Sequence, residues 1–302
     1  MFAHALRSTR LSSAAAIGLL ASGLLVTTIT LPGCVIGGDY DDSSLARHNV
    51  SITQPSATKG KLTAEARNGS LIVHKSTDGQ LRVDANIKSK SEGRAKDATV
   101  QVQDVGGGVE VTIAWPDKQW REGDGASLEI WIPDASGLAL TTSNGDVEAV
   151  GFSGKAVVKT SNSTIRVSDH AGDLIAKTSN GDIVASRISG SADATTSNSD
   201  VTLRDVSGLV TAASSNGDIT VSLASSAAGP VKASTSNGDI TFLVSPAFAG
   251  SVRASTSNGN VECLASRASR SGNNSSNATF QFGAGNTSVL ETSNGNITVK
   301  PR

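Results

Sequence analysis

Eight asparagines stand at near-regular intervals in this 302-residue chain: Asn144, Asn162, Asn180, Asn198, Asn216, Asn237, Asn258 and Asn294. Each follows a serine. The first four steps are 18 residues, the next two 21 and the last 36. A side-chain amide both donates and accepts, so such a column could offer a polar strip to a repetitive glycan or to another rod. It could equally stack at a backbone corner, each amide satisfying its neighbours. Short polar side chains at turns favour the second reading, and we expect a structural ladder. Two places after the asparagines come Asp146, Asp182, Asp200, Asp218 and Asp239. Like charges repeated at close spacing need compensation, from a cation or from turn N–H donors. Calcium is disfavoured because each turn supplies one carboxylate, and Thr164, Asn260 and Asn296 replace the others. No metal site is expected.

Other reactive residue types are sparse. Trp115, Trp120 and Trp131, all the tryptophans, fall close together. They could form a sugar-stacking platform, although tryptophans more often pack a cap. His170 takes a slot held by Phe152, Ile188 and Val206 in neighbouring repeats, which reads as core edge. Cys263 takes the slot of Val221 and Phe242 and reads as an inert, buried thiol. The acidic run Asp39-Tyr40-Asp41-Asp42 reads as solvated. No paired carboxylates or nucleophile–base arrangement emerges. No catalytic residue and no cofactor are therefore expected, and the chain reads as a non-enzyme. With 26 basic and 27 acidic side chains the formal net charge is −1, which gives no footprint for nucleic acid.

The elements that place these residues are short strands. Three places after each asparagine stand Val147, Ile165, Ile183, Val201, Ile219, Ile240, Val261 and Ile297. Five places after stand Ala149, Val167, Ala185, Leu203, Val221, Phe242, Cys263 and Val299. Gly154, Gly172, Gly190 and Gly208 fall ten places after theirs, each followed by a second alternating run such as Leu174-Ile175-Ala176-Lys177. Ser276-Asn277-Ala278-Thr279-Phe280-Gln281-Phe282 reads as a degenerate repeat inside the 36-residue step. Each repeat is thus two strands and two turns. A fixed period of this kind predicts an all-β, single-stranded parallel β-solenoid with rungs of 18–21 residues. Nine stacked rungs would span roughly 40 Å. The alternative is an antiparallel β-meander, since Asn-Gly is a strong hairpin signal. Asn162-Ser163 and Asn198-Ser199 lack the glycine such a turn wants. Aromatics at 3% suit a narrow core.

Residues 1–33 stand apart. Arg7 and Arg10 precede the apolar run Ala14 to Leu31, as in an export signal; an uncleaved membrane anchor and a plain secreted form are the competing readings. Leu31-Pro32-Gly33-Cys34 resembles a bacterial lipoprotein lipobox, with Pro32 an unusual middle residue. The resemblance implies cleavage before Cys34 and its lipidation. Cys263 would then have no disulfide partner. The expected organisation is a signal peptide over 1–33, a flexible tether over 34–49 and a solenoid over 50–302. Within the solenoid, 50–136 forms irregular rungs and a cap, and 137–302 the regular repeats.

The repeats, with Ile130-Trp131-Ile132-Pro133 before them, resemble the bacterial putative-adhesin family of unknown function, over roughly residues 50–302. The resemblance implies a right-handed β-solenoid at the cell envelope and no established chemistry. The function expected is an envelope-anchored, non-enzymatic adhesion or scaffold module at the outer membrane or cell surface. Its partners would be the membrane through the lipid, and an envelope or extracellular polysaccharide or another envelope protein. An envelope-stress sensing or regulatory partner and a polysaccharide-active enzyme are the alternatives. Lys300-Pro301-Arg302 after the final strand would discourage end-to-end pairing, which points to a monomer.

Overall fold

Period-two alternation along each short run sends every second side chain inward, and the repeat brings those side chains back to the same depth on each circuit. In the computed structural model, which describes residues 44–56, 60–272 and 274–302, the circuits stack. Ile165 lies opposite Ile183, Ile183 opposite Val201, and Val201 opposite Ile219, in parallel strands of one sheet. Ala156, Leu174, Ala192 and Val210 follow each other in the same way in the second sheet. Each circuit contributes one strand to each sheet, and the inward columns are buried along the stack up to its last strand, where Cys263 is half-buried. The fold is an all-β solenoid, and the meander is overturned. Successive repeats pair in parallel, and the Asn-Gly corners turn from one sheet to the other. None of the corner glycines has the positive φ that a two-residue hairpin turn needs.

The two sheets have 12 and 13 strands among the described residues. Setting aside two antiparallel strands in the first and three in the second leaves ten parallel rungs, or roughly 43 Å between the outermost. Their spatial order departs from chain order at both ends. The rung made by Leu62–Glu65 and Leu71–Lys75 lies between Gly137–Val150 and a rung made by Gly108–Ala114 and Gly125–Ile132. At the other end, Thr287–Thr292 and Ile297–Pro301 lie between the Val231–Val244 rung and the Ser251–Cys263 rung. The irregular stretch before residue 137 therefore holds two full rungs.

Antiparallel strands close both ends. Gln80–Ser89 and Ala46–Pro55 extend the first sheet, and Thr99–Val105 extends the second. A short helix, Glu92–Asp97, begins where the Ser91 hydroxyl accepts the Arg94 N–H. At the far end Asn277–Gln281 pairs antiparallel with Ser251–Thr256 and carries Ser269–Ser271 on its other side. The degenerate repeat expected at 276–282 is thus not a rung. Its Phe280 and Phe282 are buried, and Phe248 meets Phe242 and Phe282 edge-on at 5.4 Å. An end rung presents a row of unpaired backbone groups, and this hairpin covers it on the second sheet. Cys263 is only half-buried, because Val261–Cys263 is the last strand of its sheet.

Candidate functional site

The corner residues Thr/Ser-Ser-Asn-Gly/Ser-Asp direct three kinds of side chain at the neighbouring rung. The first threonine turns inward. Thr142, Thr196, Thr235 and Thr292 are buried, and each hydroxyl donates to a corner glycine carbonyl one rung away: Gly69, Gly181, Gly217 and Gly238, at 2.8–3.0 Å. A buried hydroxyl without such a partner would be costly, and the carbonyl one rung away supplies it. The glycine is needed where rungs approach closely. A Cβ on Gly238 would stand 2.2 Å from the Gly217 oxygen.

The asparagines form one hydrogen-bonded column. Asn180 Nδ2 donates to Asn162 Oδ1 and Asn198 to Asn180, both at 2.7 Å. Asn216 donates to Asn198, Asn237 to Asn216, Asn294 to Asn237 and Asn258 to Asn294, each at 2.8 Å. Asn162 donates to Asn144, which in turn donates to Asn68. Asn68 is thus the first member, with Leu71 and Val73 in the two apolar slots and Ala66 where the others carry Thr or Ser. The chain signalled this at Asn68-Gly69-Ser70-Leu71-Ile72-Val73, whose spacing matches the later repeats.

The aspartates accept from the backbone. Asp200 Oδ1 takes the Asp218 N–H, Asp218 takes that of Asp239, and Asp239 takes that of Asn296, at 2.7–2.8 Å. Asn296 does the same for Asn260 at 3.0 Å, and Asp146 for Thr164. The column's acceptor can therefore be an amide or a carboxylate. No group of three His, Cys, Asp or Glu side chains is placed to hold a metal among the described residues.

The family model described as Toastrack DUF4097 matches residues 44–300. The chain belongs to the Toastrack family. No curated protein matches it. Among solved structures it resembles a putative adhesin from Bacteroides fragilis NCTC 9343, 14% identical over 84% of this chain and 97% of that one, with a TM-score of 0.45. A putative adhesin from Parabacteroides distasonis ATCC 8503 is 14% identical over 84% and 97%, with a TM-score of 0.37.

The tryptophans of this Toastrack chain do not form one platform. Trp115 is buried and Trp120 partly so, their ring centroids 5.2 Å apart in the N-terminal cap. Trp131 lies elsewhere, on the outer face of the first sheet. Arg82 and His74 flank it from the strands on either side, with the guanidinium 4.4 Å and the imidazole 5.2 Å from its ring.

Beside Trp115 sits a polar cluster that sequence reasoning missed. Asp124 is fully buried and accepts from Arg94 Nε and Nη2, from Ser89 Oγ and from the Arg121 N–H, at 2.7–2.9 Å. Arg94 also reaches Asp117 at 2.9 Å and lies over the Trp115 ring at 4.9 Å. Burial pushes the Asp124 carboxyl up, but Arg94, the Arg121 amide and Ser89 outweigh it, and the net shift is down. Arg94 holds Asp117 at about 2. The three partners are 7 to 30 residues apart in an irregular stretch, and no spacing advertises them. The cluster ties the short helix to the end of the stack.

His170 is buried, and its Nε2 lies 2.8 Å from the Gly154 oxygen. A carbonyl only accepts, so Nε2 carries the proton, and the buried Nδ1 has no partner among the described residues. Cys263 is weakly nucleophilic, because burial pushes its thiol up. Outward on the first sheet, Thr202, Thr220, Thr241 and Thr298 stand in one row across four rungs. Two shallow open depressions mark the second sheet, one beside Ile175 and Leu209 and one along Thr141, Lys159 and Lys177. Cys34 and residues 1–43 lie outside the described residues. Among the described residues no helix is long and apolar enough to cross a membrane.

Proposed function

We propose that this chain is a non-enzymatic adhesion or scaffold module of the cell envelope, anchored by lipid on Cys34. One observation carries the reading: the side chains best suited to chemistry are engaged rung to rung. The asparagine amides hydrogen-bond one another, aspartates of the next column hold backbone N–H groups, and corner threonines hold carbonyls. These bonds build the rod and leave flat outward faces bearing Thr, Ser and scattered charge. Such a surface suits repetitive, low-affinity contacts multiplied along its length. The outward row Thr202, Thr220, Thr241 and Thr298 is the contact surface we favour, with an envelope or extracellular polysaccharide or another envelope protein as the partner.

The test is a glycan array and an envelope-extract pull-down with the full chain in detergent. Capture of a repetitive polysaccharide or an envelope protein, reduced when those four threonines become lysine, supports the reading. Turnover of any polysaccharide in the same screen would overturn its non-enzymatic part. Cys34→Ser is expected to release the protein from membranes, and continued retention would remove the lipid anchor.

A further inference from the structure

The rung carrying Asn294 is the last in the chain but not the last in space. It sits between the rungs of Asn237 and Asn258 and is held from both sides. Ile240 N–H donates to the Asn296 oxygen at 2.8 Å and Asn294 N–H to Ser236 at 2.9 Å. On its other face Ile297 N–H donates to Asn260 at 2.9 Å and Asn258 N–H to Ser293 at 2.8 Å. Ser288 accepts the Val231 N–H from within the core, and Arg302 pairs with Asp205 three rungs away in the first sheet. The Ser251–Cys263 rung, made earlier in the chain, is carried outward by one place to leave this slot.

We propose that this slot is a strand-exchange site, and that the C-terminal repeat of a second copy of this chain fills it in trans. Withdrawing the rung exposes two faces whose apolar, threonine, asparagine and backbone columns all match. An arbitrary extended peptide satisfies the backbone, and offers Thr256 a carbonyl in place of that of Gly295, but leaves the ladder amides of Asn237 and Asn258 and the Gly238 carbonyl without the partners that Asn294 and Thr292 supply. A Thr-Ser-Asn-Gly-Asn-Ile-Thr segment satisfies every column, and a second copy carries one with the same flanking residues. The contacts of the exchanged state are those of the closed molecule, which is what makes domain exchange between identical chains inexpensive. The rung is joined to its predecessor through the covering hairpin of Ser269–Ser271 and Asn277–Gln281, so hairpin and rung would transfer together. This inference does not rest on the adhesion reading, because it concerns chain-to-chain linkage whatever the rod binds.

Paired cysteines test it. In the full chain with Cys34→Ser and Cys263→Ser, Ser234→Cys and Glu291→Cys fall on register partners across the slot. Thr241→Cys and Thr298→Cys give a second pair in the other sheet. One copy carries the first member and another copy the second; the two are unfolded, refolded together at high concentration and oxidised. The expected result is a disulfide-linked dimer, several-fold above a control mixture of Ser234→Cys with Glu262→Cys, which are not neighbours. Both members placed in one chain should close within the monomer at low concentration. Dimer yields at the control level for both pairs, with the monomers refolded, overturn the proposal.

Discussion

Asn294 donates its amide to Asn237 at 2.8 Å across 57 residues of chain, whereas Asn258, only 21 residues after Asn237, rests on Asn294 instead. The last repeat is thereby buried between two others and the one before it forms the end of the stack. A terminal rung normally has one neighbour and frays; this one has two. Native-state hydrogen exchange should therefore find the amides of Ile297–Val299 slower than those of Val261–Cys263, although the former lie close to the end of the chain. Faster exchange at 297–299 would show that the inserted order does not hold in solution.

The amide column should stabilise most where it is continuous. Asn180 both donates to Asn162 and accepts from Asn198, while Asn258 only donates. At about 0.5–1 kcal/mol for each such exposed bond, Asn180→Ala is expected to cost about 1–2 kcal/mol and Asn258→Ala about half that. Denaturant melts of the two variants decide it. Equal and negligible losses would mean that the column follows from the fold without strengthening it.

The aspartate column accepts backbone N–H groups from the neighbouring rung. Asp218→Asn keeps an oxygen for the Asp239 N–H, as Asn296 does for Asn260, and should change stability by less than about 0.5 kcal/mol. Asp218→Ala removes the acceptor and should cost about 1 kcal/mol. Chelator should leave the melting temperature unchanged. A chelator-dependent drop, or a large loss with Asn, would indicate a bound cation.

The N-terminal cap should be acid-sensitive. Asp117, held at about 2, and Asp124, also shifted down, have lower pKa values folded than unfolded. Their contribution is complete above the ordinary carboxylate value of about 4 and is lost as pH falls towards 2. Asp124→Ala strands the Arg94 guanidinium in a nearly buried site, which is expected to cost about 3 kcal/mol or more near neutrality. With Arg94→Met, the difference from wild type should shrink between about pH 4 and pH 2. Fluorescence of Trp115 and Trp120 reports on this cap, and a pH-independent difference would place the stabilisation elsewhere.

The amino-acid sequence by itself determined the repeat. Period 18–21 fixes one circuit, the apolar slots at Ile183 and Ala185 or Ile219 and Val221 fix which side chains form the core, and Asn, Thr and Gly fix the corner. These are local rules that every repeat obeys alike, so they were legible from spacing. That same likeness hid what the tertiary structure decided. Because Thr256-Ser257-Asn258 and Thr292-Ser293-Asn294 present the same edges, nothing in either shows which of them should rest on Asn237. The choice belongs to groups that meet only in space: the Phe280 and Phe282 hairpin over the last rung, Arg302 on Asp205, and Arg94 on Asp124 at the opposite end. Asn277 shows the limit most clearly. Its two phenylalanines have the spacing of a rung, but its strand runs antiparallel, because an end of the stack needs its open backbone groups covered.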